Sequence, residues 1–162
     1  MHTHSVTKVI SLMAALTLSA VSAFAQTTYR QCRTVGGTMA TNLAVVDQST
    51  TLGNATGDLK GAVTAAILSV SPNSDGTVSF RVQHHLVTDA GDAISFAPAT
   101  AVTQPLSATL FAILSYPVHI SGGTGRYAKA TGNLTAIGEV DLASGQTIFR
   151  YSGKVCLATA SE

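Results

Sequence analysis

Residues 120–133 read ISGGTGRYAKATGN, and the reading of this stretch decides the fold. Gly123-Thr124-Gly125-Arg126-Tyr127-Ala128 is a G-x-G-x-x-A run directly after an apolar segment, the spacing of a dinucleotide-binding loop. Such a loop must open a long helix, whose free N–H groups and dipole hold the pyrophosphate. Here RYAKATG gives at most about one and a half helical turns before Gly132. The segment that follows, GNLTAIGEVDL (132–142), alternates like a strand, with Leu134, Ala136, Val140 and Leu142 on one face. No β-α-β unit surrounds the run. The residues therefore predict a chain reversal between two strands, with Gly122, Gly123 and Gly125 at positive-φ positions and Gly132 as a fourth turn glycine.

Working outward, the rest of the chain has the same character. TVSFRVQHHLVT (77–88) places Val78, Phe80, Val82, His84 and Leu86 on one side of a pleat. TIFRYSGKVCLA (147–158) does the same with Phe149, Tyr151 and Val155. TMATNLAVV (38–46), DLKGAVTAAILSVS (58–71) and AISFAPATAVTQ (93–104) read as further strands, the last with an irregularity, bulge or edge at Pro98. PNSDG, DAGD and ASGQ are turns, and DQSTTLGNATG (47–57) reads as a polar loop. In SATLFAILSYPVHIS (107–121), a short helix is open for the first part, with strand from about Leu114. Short strands at this spacing predict an all-β sandwich or barrel.

The first 25 residues stand apart. Lys8, the apolar run VISLMAALTLSAVSAF and the A-x-A site Ala23-Phe24-Ala25 have the layout of a secretory signal peptide. An N-terminal membrane anchor is the alternative, but the Ser and Ala content and the A-x-A site favour cleavage. One domain over residues 26–162, roughly 137 residues, is long enough for a sizeable core. Localisation is then secreted or periplasmic, with no membrane association after cleavage. Eight Asp and Glu nearly balance the Lys and Arg of the mature part, so no basic face for nucleic acid is expected. The two cysteines, Cys32 and Cys156, lie near the two ends of an exported chain and read as a disulfide, with two buried free thiols as the alternative. They lack the His or Cys neighbours of a metal site, and the chain names no metal and no cofactor.

Candidate chemistry is sparse. His84 and His85 are neighbours on a strand and point to opposite faces, so they do not readily share a metal. His84, on the apolar side, is placed to face an interior where a neutral imidazole can move a proton. His119 precedes the Gly-rich run. Tyr116 and Tyr151 are further polar candidates. No serine, histidine and acid form a nucleophile motif, and no carboxylate pair has the arrangement of a glycosidase. NSDG (73–76) shares part of a calcium loop but lacks the closing Glu.

The segment PVHISGGTGRYAKATGNLTAIGEVDLASGQTIFRYSGKVCL (117–157) resembles the C-terminal half of the allene oxide cyclase-like barrels, and equally that of plant dirigent proteins. Both have an apolar strand, a G-G-[TS]-G-x-[FY] turn, a short link ending in Gly and two final strands. The resemblance implies an eight-stranded antiparallel closed β-barrel of the calycin-like kind with an apolar cavity. It also allows a homo-oligomer, since the plant enzymes are often trimeric. Dirigent proteins generally carry an Arg in the cavity just before the Gly that closes the motif, where this chain has Thr131. No catalytic residue is carried over from either family. Three functions follow as expectations: a secreted barrel binding a small apolar ligand, a cofactor-free cyclase or isomerase with His84, Tyr116 and Tyr151 as anchors, or a structural oligomerising barrel.

Overall fold

In the computed structural model the described residues are 29–42, 47 and 49–159. The expected signal segment, 1–25, lies outside them, as do residues 43–46 of the first expected strand. The described residues form nine strand segments: β1 (Tyr29–Asn42), β2 (Thr50–Ala55), β3 (Gly61–Pro72), β4 (Val78–Thr88), β5 (Ala93–Phe96), β6 (Ala99–Pro105), β7 (Leu110–Gly123), β8 (Thr131–Asp141) and β9 (Gln146–Thr159). Every pairing is antiparallel. The ring runs β1-β2-β3-β4, then β5 and β6 together, then β7-β8-β9 and back to β1.

β5 and β6 fill one position in the ring, because each pairs with β4 on one side and β7 on the other. The break between them falls at Ala97-Pro98, as the proline predicts, for proline cannot donate to a ladder. Ala97 N–H still reaches His119 O at 2.9 Å, which holds the gap closed. Counted by position, the fold is a closed eight-stranded antiparallel barrel. Closure is made by the first and last strands, which pair from Tyr29↔Thr159 to Asn42↔Gln146 and leave neither as a free edge.

One expected loop and one segment left open as a short helix are strand instead. DQSTTLGNATG contains β2, with Thr51 and Ala55 turned inward and Leu52 and Asn54 outward. Its polar composition suits a strand with one face in water, and threonine is a good strand former. The segment before Leu114 is also strand, since β7 begins at Leu110. Ser107 Oγ accepts from Leu110 N–H at 3.1 Å and tightens the turn that precedes it.

The inward faces form one continuous core, graded from one end to the other. At one end Val35, Leu59, Val63, Leu86, Ile94, Tyr127 and Val155 are sealed from solvent. The GGTGRY stretch forms part of that seal. A single 3-10 turn, Gly125–Tyr127, lies between β7 and β8 and presses the Tyr127 ring inward, fully buried. Gly125 has φ +53, and a side chain there would run into the Asp92 carboxylate, which pairs with Arg126 at 3.6 Å. Gly123 is not at positive φ; it is required because a Cβ would collide with Ala93 O. Gly132 lies within β8, not in the turn. At the opposite end the inward residues Ile67, Val78, Val82 and Thr147 are half-exposed, so the barrel opens there.

Candidate functional site

His84 arrives inside by the alternation of β4: Phe80, His84 and Leu86 are buried, while Arg81, His85 and Val87 face out. Tyr116 arrives by a different device. The β7–β8 register shifts between Ile113 and Tyr116, leaving Leu114 and Ser115 both exposed. Without this bulge the inward series Phe111, Ile113 would continue to residue 115. With it, Tyr116, Val118 and Ile120 turn inward. The bulge thus aims the tyrosine at the histidine.

The two side chains meet with Tyr116 Oη 3.2 Å from His84 Nδ1, both buried. With Nδ1 unprotonated, the phenol donates to it. In the other tautomer Nδ1–H donates to the phenol, whose own hydrogen turns to Val82 O at 3.5 Å. Aromatic rings enclose the imidazole: Phe149 and Tyr116 lie at 5.7 Å between centroids and Phe96 at 6.3 Å. Burial in these surroundings lowers the His84 pKa to about 4 and raises that of Tyr116 above its ordinary value. At neutral pH the pair is an uncharged imidazole against an uncharged phenol.

The pair closes the inner side of a cavity of about 40 Å³ that lies toward the open end. Its wall is apolar, with Phe80, Ile113, Val140 and Phe149, and its outer part carries Thr41, Thr51, Thr103 and Thr147. A narrower space of about 10 Å³ continues behind His84, between Met39, Phe96, Val118 and Leu134. Among the described residues no Lys, Arg, Asp or Glu lines either space. The larger space has room for a few non-hydrogen atoms as it stands.

Tyr151 lines the narrower space behind His84, but its hydroxyl bonds elsewhere. Its hydroxyl donates to Thr56 O at 2.9 Å and accepts from Leu59 N–H at 2.9 Å, so it straps the β2–β3 connection onto β9. Burial is the main cause of its raised pKa. His119 is on the outer face, 2.6 Å from Asn133 Oδ1. Thr131 is also outside, its Oγ1 accepting from Arg30 at 2.6 Å, so this position does not line the cavity that the dirigent pattern assigns it. Cys32 and Cys156 are bonded to one another and face each other across the β1–β9 ladder, Cα atoms 3.9 Å apart, on the outer side of the wall.

Of the residues named from sequence, His84 and Tyr116 are brought together. Sequence reasoning missed the threonines of the mouth, which look like ordinary strand residues until the barrel closes. The one available signal was their parity, since Thr103 and Thr147 fall on the same faces as Ala101 and Phe149.

No family model and no curated protein matches this chain. Among solved structures, the pterocarpan synthase dirigent protein GePTS1 is similar at 16% identity and a TM-score of 0.37, over 90% of this chain and 100% of that one. The pterocarpan synthase dirigent protein PsPTS1 is similar at 15% identity and a TM-score of 0.31, over 85% of this chain and 100% of that one. Likenesses this distant carry nothing about the site.

Proposed function

We propose that this is an exported barrel that binds a small, mostly apolar molecule through its open end, with its inner polar contact at Tyr116 and His84. The observation that carries the reading is the pairing of a buried, uncharged Tyr116–His84 couple with an apolar cavity open toward solvent. Binding sites commonly combine an apolar wall with few placed polar groups. The cavity of about 40 Å³ is much smaller than that of a drug-sized ligand, so a narrow alkyl or ring end enters and the rest stays in the mouth. The Cys32–Cys156 disulfide supports export, since such bonds persist in oxidising compartments.

The same couple supports a second reading, a cofactor-free isomerase or cyclase. A neutral imidazole in contact with a phenol can pass a proton to and from a substrate held between apolar walls. The two readings separate on the behaviour of variants. Native mass spectrometry of the protein purified from its own host is expected to show a co-purifying small molecule, lost in Tyr116→Phe and His84→Phe. A chain of bare mass under gentle conditions, with His84 ring signals unmoved by that host's small-molecule extract, would sink both readings. Conversion of the captured molecule by the parent protein, abolished in the folded variants, selects the isomerase.

A further inference from the structure

The four threonines at the mouth do not have equivalent hydrogen bonding. Thr103 Oγ1 donates to Val78 O at 3.0 Å. Thr51 is 3% exposed and lines the cavity, yet its Oγ1 has no hydrogen-bond partner among the described residues. A buried hydroxyl without a partner is costly, so such a group marks a place where a polar atom from elsewhere belongs. The cavity wall offers no countercharge among the described residues: no Lys, Arg, Asp or Glu of these lines it. A carboxylate or ammonium entering there would lose its hydration against Phe80, Ile113 and Phe149 with nothing to balance the charge.

Resting on the ligand-binding reading above, we infer that Thr51 is a specificity residue: the site selects uncharged molecules with a hydroxyl or carbonyl oxygen at one end, and rejects acids and amines of the same length. A hydroxyl both donates and accepts, so Thr51 serves an alcohol or a ketone alike. A ligand oxygen beside Thr51 supplies the hydrogen bond that this hydroxyl lacks among the described residues. This places an oxygen of the ligand at Thr51, with its chain running inward over Phe80, Ile113 and Phe149 toward Tyr116 and His84.

The test is an NMR titration that follows the His84 ring and the Phe149 and Thr51 signals. The probes are 1-butanol, n-pentane, butyrate and butylammonium at pH 7. 1-Butanol and n-pentane are expected to shift the signals saturably, and the two ions to bind at least about tenfold more weakly. Thr51→Val should weaken 1-butanol about fivefold to tenfold and leave n-pentane unchanged. Thr51→Ser, which keeps the hydroxyl and guards against a packing artefact, should restore 1-butanol. Butyrate binding as tightly as 1-butanol, or 1-butanol unaffected by Thr51→Val, overturns this inference while n-pentane binding leaves the ligand reading standing. Failure of every probe to move the cavity signals removes the ligand reading, and this inference with it.

Discussion

His84 shows how a single position carries a pH dependence into the whole molecule. Its imidazole is buried among Phe96, Tyr116 and Phe149, with its pKa lowered from 6.5 to about 4. The unfolded chain therefore takes up a proton at a higher pH than the folded one. Stability from this group is complete above the unfolded value and is lost as pH falls from about 6.5 toward 4. Between pH 7.5 and 4.5 the loss comes to about 2–3 kcal/mol. Urea midpoints should fall accordingly in the parent, and the fall should shrink by that amount in His84→Gln. An equal fall in both proteins would show that His84 titrates normally and is not sealed from water. The alternation of β4 already put His84 on the apolar face in the sequence. Its partner was not legible, because Tyr116 depends on a bulge that no local pattern marks.

At the scale of elements, the β7–β8 connection is a close-fitting seal. Gly123 follows the strand into the turn, and the space a Cβ would need is occupied by the Ala93 carbonyl and by Tyr127. Thr124 fixes the same contact from both sides: its N–H donates to Ala93 O at 2.9 Å, and its Oγ1 accepts from Ala93 N–H at 2.8 Å. Gly123→Ala must therefore push β5 and β7 apart, at a cost of about 2–3 kcal/mol in urea unfolding. A loss below about 0.5 kcal/mol would mean that the turn yields easily and does not hold the closed end. The strand–turn–strand plan was legible here because RYAKATG is too short for a helix and the next segment alternates. The reason for each glycine was not, since collision with Ala93 involves a strand roughly thirty residues away.

At the scale of the whole molecule, closure depends on joining the chain's two ends. Cys32 and Cys156, 124 residues apart, cross-link the strands that complete the ring. In the chain-entropy model a loop of that length is worth about 4–5 kcal/mol. Reduction should lower the melting temperature by about 10–20 °C, read by circular dichroism with and without reductant. An unchanged melting temperature would mean that the β1–β9 ladder alone holds the ends together. The graded interior belongs to this scale as well. One end is sealed by Tyr127 and Leu59, and the other keeps Val78, Val82 and Thr147 half-exposed, so among the described residues the proposed ligand enters at that second end.

The sequence by itself determined the all-β class, the chain reversal at 120–133, an irregularity at Pro98 and the inward face of β4, and it favoured a disulfide over two free thiols. Each rests on local chemistry: a period of two, a proline without an N–H, a helix too short to form, or two thiols in a chain that reads as exported. Only the tertiary structure decided that a polar stretch is β2, that β5 and β6 share one place, that Tyr116 meets His84 while Tyr151 straps a loop, and that the Thr51 hydroxyl has no partner among the described residues. Those are properties of a closed ring, in which the number of positions, the bulges and the register set which side chains meet across the interior.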